Sequence, residues 1–208
     1  MPRTLWQARV PAVALAVVLS MQPLSAQTPA QTTIGGPFTL TDQNGRQVSD
    51  RSFHGTPVLL YFGFTSCPDV CPTDLARIER IARRVRTLGG PAVTPVFVSI
   101  DPARDTPAKM KAYVALFGRD VVGLSGTPAQ TTAITDAYHV YYRKVPYGTR
   151  GQYMMDHSTF VFLLDRNGRY LDHFGRTADE AQVAAQVVDA LGRASPRARL
   201  PPSSASRP

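Results

Sequence analysis

An apolar run at residues 57–62, and the segment that follows it, constrain the fold of this chain most strongly. Pro-Val-Leu-Leu-Tyr-Phe is apolar at every position, which is typical of a strand buried on both faces of a sheet. Residues 73–88 then carry apolar side chains at helical spacing. These two segments together predict a strand that leads into an amphipathic helix, the first unit of an α/β fold.

Further strand and helix patterns alternate along the rest of the chain. Thr106-Pro107 and Thr127-Pro128 each read as a helix N-cap followed by proline at the first helical position. The predicted segments are strand 93–100, helix 107–117, helix 128–138, strand 159–164, turn 166–168, strand 169–174 and helix 177–191. A βαβ half joined to a ββα half predicts an α/β, thioredoxin-like fold. We expect a central mixed β-sheet flanked by helices, with an additional N-terminal β-hairpin beginning near Phe38.

Both ends of the 208-residue chain differ in composition from its middle. Arg3 and Arg9 precede a short apolar run and the small-residue pattern Leu24-Ser25-Ala26, which predicts a signal peptide over residues 1–26. We expect a linker at 27–34, the folded domain at 35–192 and a basic, Pro- and Ser-rich disordered tail at 193–208. In a bacterium the signal would place the protein in the periplasm. The alternative is anchoring to the inner membrane by an uncleaved N-terminal segment.

Net charge argues against nucleic acid as a partner. The chain carries +8, but six of its arginines lie in the predicted signal and tail. Without them the net charge falls to +2, so the folded part lacks the strong basic excess of a nucleic-acid-binding domain.

The chain contains two cysteines, and both lie in Cys67-Pro68-Asp69-Val70-Cys71-Pro72, directly after the first core strand. A disulfide that closes so short a loop removes little unfolded-state entropy, so a purely structural staple is a poor explanation. A position at a helix start favours thiolates, which attack disulfides and bind soft metals. The sequence therefore predicts a redox-active pair, able to form a disulfide, or a metal site.

A nitrogen ligand would complete a site for both oxidation states of copper, because sulfur suits Cu(I) and imidazole suits Cu(II). His54, His139 and His173 have ordinary surroundings in the sequence. His157 instead immediately precedes the strand at Thr159. In thioredoxin-like topology that segment passes next to the first strand-to-helix turn, where redox thioredoxins usually carry proline.

Neighbours of His157 have two interpretations each. Met154 and Met155 are soft thioethers but also flexible packing residues. Asp156 is either a partner that orients His157 or a turn residue.

Together these segments resemble the Sco/SenC family of copper-binding, thioredoxin-like proteins. The resemblance covers about residues 35–174 and rests on the Cys-x-x-x-Cys-Pro motif, Asp156-His157-Ser158, Asp101-Pro102 and Asp105-Thr106-Pro107. It implies a site for Cu(I) and Cu(II) made by Cys67, Cys71 and His157. It also implies a copper chaperone that assists assembly of the binuclear copper centre of cytochrome c oxidase subunit II. Other periplasmic copper carriers and thiol reductants would be further partners.

Two other functions use the same cysteines. A thiol–disulfide reductase would keep the cysteines of the copper-receiving protein reduced, with Cys67 as the attacking thiol and Cys71 as the resolving one. A peroxidase of the peroxiredoxin type shares the fold, but it typically has threonine three residues before its reactive cysteine, where this chain has Phe64. The chain is thus expected to be a metallochaperone rather than an enzyme, with thiol–disulfide oxidoreductase activity as the alternative.

Overall fold

The computed structural model of the protein describes residues 33–149 and 151–194. Strands and helices alternate along this part of the chain, as the sequence predicts. In order the elements are β1 (Thr39–Asp42), β2 (Gln47–Ser49), a 3-10 turn (Asp50–Phe53), β3 (Val58–Gly63), α1 (Val70–Thr87), β4 (Thr94–Ser99), α2 (Pro107–Val114), β5 (Val122–Ser125), α3 (Pro128–Ala137), β6 (Tyr142–Pro146), β7 (Tyr153–His157), β8 (Val161–Leu164), β9 (Tyr170–Phe174) and α4 (Glu180–Ala194).

A seven-stranded mixed sheet forms the centre, in the order β2-β1-β5-β4-β3-β8-β9. Strands β3, β4 and β5 are parallel. Strand β1 pairs antiparallel with β5, and β8 with β3. The edge strands β2 and β9 pair antiparallel with β1 and β8. The β1–β2 pair is the predicted N-terminal hairpin. Strands β6 and β7 pair only with each other, in a separate two-stranded sheet.

Helix α1 packs one apolar face on the sheet and on α4. Leu75, Ile78 and Val85 on this face are fully buried, and burying such a side chain contributes about 1.5–3 kcal/mol each. Both predicted threonine caps are confirmed. Thr106 accepts from the Lys109 N–H, and Thr127 forms a reciprocal capping box with Gln130.

Helix α1 and the strands around the site differ from the expected pattern. The helix begins at Val70 rather than at residue 73, so Cys71 lies within its first turn. Strand β5 was not predicted, because its four residues include Gly123 and carry no clear alternation. The β6–β7 hairpin was also missed, since its strands are mostly half-exposed and are separated by a loop.

Several expectations fall on the ends of the chain. The predicted signal peptide and most of the predicted tail lie outside the described residues; α4 itself continues to Ala194. Among the helices of the described part, none combines the length and apolar character needed to cross a membrane.

Candidate metal centre

A glycine makes room for Cys71 against the sheet. Gly63 ends β3, and a Cβ atom added there would lie 2.7 Å from the Phe97 ring and 3.0 Å from Cys71 Sγ. The missing side chain therefore makes room for the Cys71 sulfur over the end of the strand. Six residues, 64–69, then turn the chain into α1.

Cys67 and Cys71 occupy contrasting environments, and both are free thiols. Cys67 is half-buried, and its Sγ accepts from the Cys71 N–H at 3.4 Å. Hydrogen bonding from the Cys71 thiol, with help from backbone N–H groups at the helix start, lowers the pKa of Cys67 to about 5. Cys71 is fully buried; its hydrogen bond to the Cys67 sulfur and its burial raise its pKa.

His157 ends β7 and faces the buried sulfur. Its Nε2 lies 3.7 Å from Cys71 Sγ, while its Nδ1 lies 2.8 Å from the Ser158 carbonyl oxygen. A carbonyl can only accept, so Nδ1 carries the proton and the Nε2 lone pair is free to face Cys71. The Tyr61 and Phe64 rings form T-shaped contacts with the imidazole at centroid distances of 6.4 and 6.0 Å.

The separation of these donors suits a shared metal ion. Zinc–thiolate and zinc–imidazole distances of about 2.3 and 2.0 Å put two ligands of a tetrahedral ion about 3.5 Å apart. The observed 3.7 Å between Cys71 Sγ and His157 Nε2 is close to this separation. Two soft sulfurs and one imidazole nitrogen form a donor set suited to copper.

The third candidate donor, Cys67, lies beside Cys71 at the helix start. Within residues 33–149 and 151–194, no three His, Cys, Asp or Glu side chains form a ready-made metal cluster. The sulfur of Cys67 is engaged by the Cys71 amide at the helix start. Cys71 thus contacts both other candidate donors: its sulfur faces His157, and its thiol and amide donate to the Cys67 sulfur.

Asp156 does not orient His157 in this structure. Its carboxylate lies 3.5 Å from Arg143 on the opposite strand of the hairpin, and the Ser158 carbonyl holds the imidazole instead. Met154 and Met155 are half-buried against the core.

The other three histidines are exposed and have local roles. His54 follows the 3-10 turn, and His139 adopts a left-handed conformation after α3, with φ of 53°. The Nδ1 of His173 lies 2.6 Å from the Tyr170 hydroxyl on β9.

Sequence reasoning missed two groups of residues around the site. Asp74 is buried one turn after Cys71 and accepts from the Tyr61 hydroxyl at 3.0 Å, with Arg176 3.5 Å away. A carboxylate on the apolar face of α1 is the signal that could have revealed this group. Asp101 and Asp105, both 2% exposed, form the second group between β4 and α2; in the sequence they belong only to motifs of the family resemblance.

Comparisons with known proteins agree with this geometry. The SCO1/SenC family model matches residues 26–192. A copper-bound ScoI from Bradyrhizobium japonicum is 44% identical, with a TM-score of 0.67, and covers 76% of this chain and 99% of its own. Copper-bound ScoI from Arabidopsis thaliana is 33% identical, with a TM-score of 0.74, and covers 77% and 99%.

A human relative, the mitochondrial SCO1 homolog, is 37% identical over 156 residues. The alignment covers 74% of this chain but only 52% of the human protein, so this chain spans about half the length of that relative. The match of the family model to most of the chain, and the shared thioredoxin-like fold, decide the assignment. The chain belongs to the SCO1/SenC family.

Proposed function

We propose that this protein is a copper chaperone that binds copper through Cys67, Cys71 and His157. The observation that carries the proposal is the approach of His157 Nε2 to Cys71 Sγ at 3.7 Å, with Nδ1 already engaged by the Ser158 carbonyl. Relatives from Arabidopsis and Bradyrhizobium, solved with copper bound, support copper as the cargo.

Each donor has a distinct part in binding the ion. Cys67 offers a thiolate near neutral pH, because its pKa is lowered to about 5. Cys71 is buried and protonated, so binding releases its proton as the metal takes its place. His157 adds a neutral imidazole, which favours Cu(II) more than the sulfurs do.

His157→Ala tests the ligand set. We expect this variant to lose most of its Cu(II) affinity and the nitrogen hyperfine coupling in its electron paramagnetic resonance spectrum. Cu(I) binding by the two thiolates should be weakened less. His173→Ala, which changes an exposed histidine bonded to Tyr170, is the matched control and should behave as the parent. If His157→Ala binds both oxidation states as the parent does, the three-ligand site is wrong.

The copper-receiving protein follows from the family resemblance. We infer that it is cytochrome c oxidase subunit II, whose binuclear copper centre would be metallated by transfer from these ligands. Mixing the copper-loaded protein with the metal-free soluble domain of subunit II should produce the absorption spectrum of the binuclear centre. Retention of all copper by the donor would contradict this partner.

A second function, reduction of a target disulfide, is favoured by the asymmetry of the cysteines. The half-buried, low-pKa Cys67 thiolate can attack a target disulfide, forming a mixed disulfide and releasing one target thiolate. Cys71 then attacks Cys67 Sγ, which releases the second target thiolate and leaves a Cys67–Cys71 disulfide. Two electrons pass from this protein to its target.

Incubation of the reduced, metal-free protein with oxidised subunit II tests this reaction. We expect target thiols to appear in step with loss of thiols from this protein, and His157→Ala to react as the parent does. The matched variant Cys71→Ala should stop at the mixed disulfide. No exchange by the parent would exclude the reductase function.

We propose further that the chain is exported, with residues 1–26 as the signal, 27–34 as a linker, 35–192 as the domain and 193–208 as a tail. N-terminal sequencing of the protein from a periplasmic fraction should begin at Gln27. An intact N-terminus in the membrane fraction would favour the anchored alternative.

A further inference from the structure

The two halves of the candidate site come from parts of the fold that do not share a sheet. Cys67 and Cys71 lie at the end of β3 in the seven-stranded sheet, whereas His157 lies on the separate β6–β7 hairpin. In the described part of the chain no strand pairing joins the hairpin to the seven-stranded sheet, although residues 158–160 connect β7 to β8. Contacts outside the two sheets, together with this short connection, set where the imidazole lies.

Residues 101–105, which we call the bridging loop, contact the β6–β7 hairpin on one side. The Tyr153 hydroxyl donates to Asp101 Oδ1 at 2.8 Å, and Arg104 Nη1 donates to the Tyr153 carbonyl at 2.9 Å. The Arg104 guanidinium also lies 3.8 Å from the centre of the Tyr153 ring. Tyr153 is four residues before His157, so these contacts hold the strand that carries the imidazole.

On its other side the bridging loop contacts residues 64–69, the turn between β3 and α1 that carries Cys67 and that we call the cysteine turn. Asp105 accepts from the Thr65 backbone N–H at 3.0 Å and from the Thr65 hydroxyl at 2.6 Å. Its Oδ2 also accepts from the Ser99 hydroxyl at 2.6 Å. Thr65 is two residues before Cys67, so Asp105 fixes the start of the turn that carries the first sulfur.

Hydrogen bonds within the bridging loop make it stiff enough to link the two sides. The Asp105 and Arg104 N–H groups donate to the Asp101 carbonyl at 3.0 and 3.1 Å, and the Asp101 N–H donates to Ser99 Oγ at 3.0 Å. Arg104 Nε also donates to the Asp101 carboxylate. Buried carboxylates paired in this way are costly to leave without partners.

Arg104 extends the contact to the imidazole itself. Its guanidinium lies 5.6 Å from the centre of the Phe64 ring, and Phe64 packs edge-on against His157. The Arg104 side chain thus contacts Asp101, Tyr153 and Phe64, the last of which packs against His157.

We propose that the bridging loop positions the metal donors, with Asp101 and Arg104 holding the His157 strand and Asp105 holding the cysteine turn. This proposal rests on the three-ligand site proposed above. It assigns these residues no bond to the ion. Groups that orient metal ligands in this way typically change metal affinity by about 10–100-fold when they are removed.

Two variants of different severity test the hairpin side of the loop. Arg104→Gln removes the guanidinium contacts to Tyr153 and Phe64, and Tyr153→Phe removes only the hydroxyl bond to Asp101. We expect Arg104→Gln to weaken Cu(II) binding at least about tenfold, with reduced nitrogen hyperfine coupling, and Tyr153→Phe to show a smaller change in the same direction.

Matched controls and a metal-free readout separate positioning from loss of folding. Arg80→Gln breaks an exposed ion pair between α1 and α4, and Tyr170→Phe removes a hydroxyl bond on β9; both should bind copper as the parent does. In metal-free Arg104→Gln, amide hydrogen exchange should rise in β7 and stay unchanged in β3 and β4. The alkylation rate of Cys67 should also stay unchanged.

The outcomes distinguish this proposal from the proposed function. If His157→Ala loses Cu(II) binding while both Arg104→Gln and Tyr153→Phe keep the affinity and spectrum of the parent, the bridging loop has no positioning role. If His157→Ala itself behaves as the parent does, the three-ligand site is overturned and this proposal with it.

Discussion

Two cysteines four residues apart have opposite acid–base behaviour because of where the helix begins. Cys67 precedes α1 and receives hydrogen bonds from the helix start, while Cys71 is inside the first turn and is buried against the sheet. The sequence places both at a helix N-terminus, but it does not reveal which is buried. That depends on Val70 as the first helical residue and on the space left by Gly63.

Alkylation of the metal-free protein checks this difference. Because the pKa of Cys67 is lowered to about 5, its thiolate predominates above that pH, and its rate with iodoacetamide should be flat from about pH 6 to 8. An ordinary thiol would gain rate up to its pKa near 8.5. Mass spectrometry should find the label on Cys67 and not on Cys71.

Cys71→Ala tests the cause of the lowered pKa. The largest contribution comes from the Cys71 side chain, so its removal should move the midpoint of the Cys67 alkylation profile to higher pH. An unchanged midpoint would show that the backbone N–H groups alone hold the thiolate.

Among the elements, the β8–β9 hairpin depends on one carboxylate. Asp165 Oδ1 accepts from the N–H groups of Asn167 and Arg169 at 2.8 and 2.9 Å, and Arg169 Nε donates to Oδ2 at 2.8 Å. Burial opposes ionisation, but these hydrogen bonds outweigh it, and the pKa of Asp165 is lowered. The turn at 166–168, with Gly168 at φ of 76°, was expected from the sequence.

Asp165→Asn should lower the free energy of unfolding by about 1 kcal/mol at pH 7, because it weakens bonds to a charged acceptor. A lowered pKa in the folded state contributes stability above the unfolded value of about 3.9, and this contribution is lost as pH falls through the folded value. The difference between variant and parent in urea unfolding should therefore shrink by pH 3. Asp172→Asn, an exposed change on β9, is the control; an undiminished difference at pH 3 would contradict this account.

The sequence correctly predicts those elements whose own side chains form a recognisable pattern. Strand β3 is apolar throughout, and α2 and α3 begin with Thr-Pro. Strand β5 is a strand because β1 and β4 flank it, and no property of its four residues says so. The position of His157 could be anticipated from topology, whereas its distance to Cys71 depends on the bridging loop and could not.

For the whole molecule, the proposed ion would join the β6–β7 hairpin to the end of β3; in the described part of the chain these share no strand pairing and are linked by short connections and by the bridging loop. A metal that binds only the folded state stabilises it by mass action, by about 2.7 kcal/mol at a free concentration a hundredfold above the dissociation constant. For a domain of this size that raises Tm by roughly 5–10 °C.

Calorimetry with and without copper should show this increase, and a chelator should reverse it. Hydrogen exchange should show added protection in the β6–β7 hairpin, with less change in β4 and β5. Stabilisation without any protection of the hairpin would mean that His157 does not take part.

The proton on His157 is fixed by the main chain, through the Ser158 carbonyl. Every residue type has this carbonyl, so no side-chain substitution at position 158 deletes the acceptor. An alanine scan around the site would therefore not test this carbonyl group, which determines which nitrogen of His157 is free to bind a metal. Only a change to the backbone itself, such as replacing the following amide with an ester to weaken the carbonyl, would expose its contribution.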